Sequence, residues 1–430
     1  MSLFQIPSKT ELEVKMGTTL YTMAELGWID FSKKDRNRVN SILDLLRPEG
    51  QVDELGIGTL RDGLANRLFP GISTIQTRSK YFFIIPYILW DYLKLPLKDR
   101  KKKKPTQYLE EQEYEVMWNL ADEYNHEEGH GVIGITKRRD LQEKIARRPS
   151  EIYWNGLNVM KCIDSRGLSA NSFLNRAHRI NAETLERKTT KEGQDDDQDV
   201  EFENYFNIKV PYNTNWRNGL RLDLSAGEAA FLNDNFIDLK DTVLALVMHE
   251  EGVYDFFSTS TNFIDFAKLC LNYPMSAQLK SDLILAHDFS ILMEGAHIAY
   301  NQELQKQFCG EDNFDSDWTA YYKKLNHEMI NINGFLVEEL FRYAPTTRLR
   351  TKHFISEWVK LMQSEILDLD KKKQLIHDQE YYAKGKKARL KFNRKDDIEF
   401  GNRIGLRRLE YRYFNAKTIV EDIKKGLQNA

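Results

Sequence analysis

Residues 26–90 read LGWIDFSKKDRNRVNSILDLLRPEGQVDELGIGTLRDGLANRLFPGISTIQTRSKYFFIIPYILW. Their spacing decides the fold class. Val39, Ile42, Leu43 and Leu46 fall on one face of a helix over about 33–47, because residues three and four apart share a face. Asp30 or Ser32 can cap its free first-turn amides, and Pro48 to Gly50 ends it. Asp53 is the next expected cap. Leu55, Leu60, Leu64 and Leu68 then line one face. Gly56, Gly58 and Gly63 each cost about 1 kcal/mol in a helix against alanine, so they point to close backbone approach. Phe69-Pro70-Gly71 reads as a turn. Ser73 or Thr74 is expected to cap a long, mostly apolar helix through Lys94, bent at Pro86.

Outward from this stretch the pattern stays helical. Lys98 to Lys104 is a basic run expected in a solvated loop. Residues 107–126 form an acidic amphipathic helix, and short helical pieces fill 131–180. Residues 183–205 are polar, with Asp195, Asp196 and Asp197 together, and read as a linker. Residues 206–224 allow a short strand at most. Ser225 and Glu228 make a capping box, in which each side chain satisfies the other residue's amide. Helices are expected at about 240–249, 262–272, 276–308, 317–342, 347–367, 370–387 and 405–427. The fold expected is mainly α, a multi-helix globular protein with minor irregular β near 206–224. Its two helical regions are 1–182 and 206–430, joined by the acidic loop 183–205.

The chain has 430 residues, 41% hydrophobic and 30% charged, with a net charge of −3. That length can bury a large core, and the net charge alone predicts no nucleic-acid partner. Cys162, Cys270 and Cys309 are odd in number and far apart, which fits neither a disulfide framework nor a zinc signature. The longest apolar run, Tyr81 to Trp90, is interrupted by Pro86 and too short to span a bilayer. MSLFQIPSKTELEVK carries acids and no apolar segment of the secretory type. A cytoplasmic protein without membrane contact is expected.

Four sets of residues could carry chemistry. Glu-x-x-His occurs at Glu123/His126, Glu127/His130 and Glu294/His297. That spacing presents a carboxylate and an imidazole on one helix face, as in di-iron bundles. Glu294/His297 is the pair placed inside a helix, and such a site needs further donors, so no cofactor is expected. No nucleophile elbow, phosphate loop, HExxH or kinase set is present, and His287-Asp288 alone is a common pair. Next come the charges of the opening stretch. Arg61, Arg67 and Arg78 could form a buried ion-pair network, or present guanidinium forks to a phosphate or carboxylate. Last are two basic stretches interleaved with aromatics. One contains Lys137, Arg138, Arg139, Arg147 and Arg148 before Tyr153 and Trp154. The other contains Lys384, Lys386, Lys387, Arg389, Lys391, Arg394 and Lys395, then Arg403, Arg407, Arg408 and Arg412 beside Tyr411 and Tyr413. Cations of this kind can follow a phosphate backbone, with aromatics available for stacking. No base-reading motif accompanies them.

Several blocks resemble a bacterial family of unknown function: GWIDFS at 27–32, DELGIGTLRDGLANRLFPG at 53–71 and STIQTRSKYFF at 73–83. RRPSEIYWNGL at 147–157, LSAGEAAFL at 224–232, GAHIAYN at 295–301, YYAKGKKARL at 381–390 and LEYRYFNAKTIVEDIKKGL at 409–427 extend the resemblance along the chain. It implies one shared architecture and an association with phage-defence genes, and carries over no activity. The function expected is a non-enzymatic, DNA-associated accessory or scaffold protein of a bacterial anti-phage defence system, with DNA or other defence subunits as partners. The alternatives are a metal-dependent or phosphate-handling enzyme and a protein–protein adaptor.

Overall fold

The computed structural model describes residues 53–190, 205–310, 314–327, 334–364, 368–394, 403–405 and 408–429. The expected helix 33–47 and residue Arg407 lie outside the described residues. Helices form where apolar residues recur at helical spacing. They run in the order α1 Gly58–Leu68, α2 Tyr81–Lys94, α3 Leu97–Lys102, α4 Pro105–Glu123, α5 Pro149–Val159 and α6 Ala170–Thr190. Next come α7 Ala226–Ile237, α8 Val243–His249, α9 Glu251–Thr259, α10 Phe263–Cys270 and α11 Ala277–Cys309. The last are α12 Asp315–His327, α13 Val337–Tyr343, α14 Leu349–Gln363, α15 Leu369–Lys384, α16 Arg389–Phe392 and α17 Tyr413–Gln428. Val52–Ala430 form one compact unit. No described helix is long and apolar enough to cross a membrane.

The protein is mainly α. In place of the strand allowed near 206–224 there is one isolated antiparallel bridge between Ile163 and Ile208, with no β-strand among the described residues. Local signals placed several helix starts well. Ser225 accepts from the Glu228 amide, and Glu228 accepts from the Ser225 amide, completing the capping box. Asn262 and Ser276 likewise accept amides of their own first turns.

Several boundaries differ from expectation. The basic run 98–104, expected as a solvated loop, is mostly helix α3 with Arg100 only 5% exposed, and the loop expected from 183 is still helix α6 as far as Thr190. The helix expected from residue 73 begins only at Tyr81. The amides of Thr77 and Arg78 donate to the Tyr153 hydroxyl, and the Ser79 amide donates to Asp422. Distant acceptors thus replace the carbonyls that a helix would supply. The expected helix 317–342 is two helices, α12 and α13. The helix expected from 405 begins at Tyr413, because Ile404 and Leu409 ahead of it bond side chains of α11 and Tyr411 and Arg412 take positive φ.

That long helix organises the core. Leu283, Phe289, Leu292, Ala296 and Tyr300 on it are fully buried. So are polar residues: Ser290, His297, Asn301 and Gln305 are at most 3% exposed. Burying an unpaired polar group costs roughly 1–3 kcal/mol. Ser290 and Asn301 avoid that cost by bonding the backbone of the strap that precedes α17. The Ser290 hydroxyl accepts from the Leu409 amide and donates to its carbonyl. The Asn301 amide group brackets Ile404 in the same two-way manner. Tyr411 donates to the Ala286 carbonyl. α1 and α10 also pack on α11.

α1 approaches the end of α13 closely. A Cβ at Gly63 would stand 2.4 Å from the Tyr343 carbonyl oxygen, which cannot rotate away. Gly63→Ala is therefore expected to destabilise the fold by roughly 1–3 kcal/mol, despite alanine's better helix propensity. Gly227 in α7 has open space at the same position, so Gly227→Ala should leave stability unchanged or raise it. Urea denaturation of both variants checks this, and equal responses would contradict it.

Candidate nucleic-acid interface

The arginines of the opening stretch face inward. Arg67 pairs with Asp282 on α11 at 2.7 Å, and Asp282 also accepts from Tyr343. Arg78 places Nε 2.9 Å from Asp422 on α17, with Asp223 3.6 Å from its guanidinium. Burial raises the Asp422 carboxyl above its ordinary range, and Arg78 works against that rise. Lys80 reaches Glu228 at 2.7 Å. Arg61 pairs with its neighbour Asp62 at 3.2 Å. The segment QTRSK at 76–80 is thus a hub that ties α2 to α5, α7 and α17.

Three arginines of the C-terminal basic third are also internal. Arg389 lies 3.1 Å from Glu54, which Lys384 approaches at 3.0 Å. Glu54 is 8% exposed and the nearby Glu380 is fully buried, accepting the amides of Arg389 and Leu390. Arg408 pairs with Glu294 at 3.2 Å. Arg412 donates to Asn66 and to the Ile72 carbonyl, with Asp62 3.6 Å away. Burial pushes its guanidinium below the ordinary value. Arg61, Arg67, Arg78, Arg389 and Arg412 therefore do not gather on one open groove. Only Arg61 and Arg412 meet, across Asp62.

The Glu294/His297 pair is likewise taken into the core. Glu294 faces Arg408, and His297 Nε2 lies 3.8 Å from Asp53. Burial works against the Asp53 carboxylate, but His297 and the Leu55 amide hold it below its usual range. Among the described residues, no three His, Cys, Asp or Glu side chains are gathered as a metal cluster. His287 bonds Asp288 at 2.9 Å.

The first basic–aromatic stretch keeps its rings inside. Tyr153 is fully buried and Trp154 is 8% exposed. Arg138 pairs with Asp140, Arg139 with Glu115, and Arg148 with Glu110 and Glu151. Arg148 and Trp154 line a cleft of about 260 Å³ together with the first turns of α4, α5 and α6. Under it lies Glu113, which accepts the amide and hydroxyl of Ser150 at the start of α5.

One basic surface remains open. α14 and α15 pack side by side, which brings the start of α14 to the end of α15. The Arg350 guanidinium sits 5.3 Å from the Tyr382 ring, and Thr351 meets Gln379. Residues 342–353, RYAPTTRLRTKH, contain no acid, and neither do residues 381–394, YYAKGKKARLKFNR. Arg348, Arg350, Lys386 and Lys391 are exposed there, as are Tyr381 and Phe392. Lys387 is half-buried beside them. The contribution of Arg348 and Arg350 escaped sequence reasoning. Its available signal was the acid-free run around residues 342–353, which is shorter and less basic than the run after Tyr381.

The buried Glu113 gives a pH-dependent expectation. Burial pushes its carboxyl up from 4.5 to about 7, against the pull of Ser150 and Arg148. Between those values the folded protein keeps a proton that the unfolded chain has released, so stability falls as pH rises. That contribution is present below about pH 4.5 and is lost as pH passes about 7. Glutamine keeps the shape and cannot ionise. From about pH 5 to about pH 8, wild type should lose roughly 1–3 kcal/mol relative to Glu113→Gln. Urea unfolding at the two pH values measures it, and a difference independent of pH would contradict the assignment.

Residues 23–191 match the model of a family of unknown function (DUF6361). No curated protein and no solved structure matches the chain. The matched span contains the QTRSK hub and the cleft at α4–α6, and ends before the open basic surface of α14 and α15.

Proposed function

We propose that this chain binds DNA through the surface formed by the start of α14 and the end of α15, as an accessory or scaffold protein of a bacterial anti-phage defence system. The observation that carries the DNA contact is the pairing of two acid-free basic segments, 342–353 and 381–394, around exposed aromatic rings. Lysine and arginine neutralise phosphates and release counterions, which supplies most non-specific affinity. The place in a defence system rests on the resemblance of the sequence blocks. Binding through this surface needs no cofactor and no catalytic set.

The internal arginines are poor probes of this reading, because charge reversal at Arg389 or Arg412 would strand Glu54 or Asp62 and disturb the fold. The open surface offers better ones. Arg350→Glu, Lys386→Glu and Lys391→Glu together should weaken DNA binding at least tenfold at low salt. They should also flatten the plot of log affinity against log salt by roughly 2–3, since each phosphate contact contributes about 0.9. Arg138→Ala, at the other basic stretch, should change neither. Fluorescence anisotropy with a labelled duplex measures both quantities. Unaltered affinity in the triple variant, or capture of an acidic protein in place of DNA after nuclease treatment, would replace the DNA reading with the adaptor reading.

A further inference from the structure

Tyr381 and Phe392 stand out on this surface. They are 43% and 47% exposed. Their ring centroids lie 5.8 Å apart at an interplanar angle of 61°. Lys391 sits 5.6 Å from the Tyr381 ring centre. Beyond the neighbouring Tyr382, capped by Arg350, Leu349 is 82% exposed. Leaving apolar area in water forgoes about 25 cal/mol per Å². Two exposed rings in contact, beside a lysine, fit a contact site.

The surrounding charge selects the partner, because the exposed cations Arg350, Lys386 and Lys391, on two segments that contain no acid, suit a polyanion. The rings narrow it further. In a duplex the base faces are stacked on one another and only edges and phosphates are presented. An unpaired strand offers free π-faces, which stack on aromatic side chains whatever the base. Two rings at a steep angle suit bases that are splayed apart, since coplanar rings would be needed to continue a regular stack. We infer that Tyr381 and Phe392 form a stacking platform for the unpaired bases of a single-stranded nucleic acid, with Lys386, Lys391 and Arg350 on its phosphates. This rests on the nucleic-acid reading above and narrows it. Lysine and arginine donate hydrogen bonds and accept none, so the platform discriminates strandedness more than sequence.

The test uses the full chain and three labelled probes at low salt: oligothymidine of about 16 nucleotides, oligouridine of the same length and a duplex of the same length. Oligothymidine should bind about tenfold or more tightly than the duplex. Tyr381→Ala with Phe392→Ala should remove most of that preference, weakening oligothymidine binding far more than duplex binding, while leaving thermal stability unchanged. Phe392→Tyr, which keeps a ring, should retain it. Equal wild-type affinity for single strand and duplex would overturn the platform and leave the proposed DNA contact standing. So would equal losses for both probes in the double variant. No binding to any probe would overturn both. Binding of oligouridine alone would keep the platform, assign it to RNA and overturn the DNA reading.

Discussion

A carboxylate taken out of water must meet a cation or a set of N–H donors, and this requirement shapes the protein more than any other. Glu54, Glu228, Asp282 and Asp422 are each less than a tenth exposed. Each is met by a basic side chain from a remote part of the sequence: Arg389 and Lys384, Lys80, Arg67, and Arg78. Such pairs are costly to break, because the survivor is left as an unpaired buried charge. They fasten the segment 53–80 to α7, α11, α15 and α17. Glu380, which has no such partner at hydrogen-bond distance among the described residues, is held by two backbone amides and Tyr300.

The same constraint acts on α11. A helix whose buried face includes Ser290, His297 and Asn301 would be unstable against a purely apolar neighbour. Its neighbour is instead an irregular strap, whose own amides and carbonyls lack helical partners. Side chain and backbone satisfy each other, at Leu409 and at Ile404. The polar character of α11, which in isolation suggests a metal site, serves the closing of the chain over the core. α17 then packs against α7, and Asp422 on it receives Arg78.

The helical architecture was legible in the sequence because its signals are local. The capping box at Ser225 and the helical spacing of α11 need nothing beyond neighbouring residues. What stops a helix at a distance was not legible. Residues 73–80 have a helical pattern, but Tyr153 and Asp422 claim their amides. The division of the arginines into internal and external was hidden for the same reason. Arg67 and Asp282 are separated by 215 positions, and Arg389 and Glu54 by 335. The open surface was half visible. The basic run after Tyr381 is plain in the sequence, whereas Arg348 and Arg350 join it only because α14 lies beside α15.

The charges of the chain thus fall into two populations. Those that meet buried acids hold the fold, and the exposed ones at the junction of α14 and α15 carry the proposed nucleic-acid contact. Photo-crosslinking tests this division most directly. The full chain is irradiated with an oligonucleotide carrying 5-bromouracil, digested, and its adducts located by peptide mass spectrometry. Adducts should concentrate on the peptides holding Tyr381 and Phe392, with none on the stretch from Lys137 to Arg148. Adducts on that first basic stretch, or spread evenly over the surface, would contradict the account.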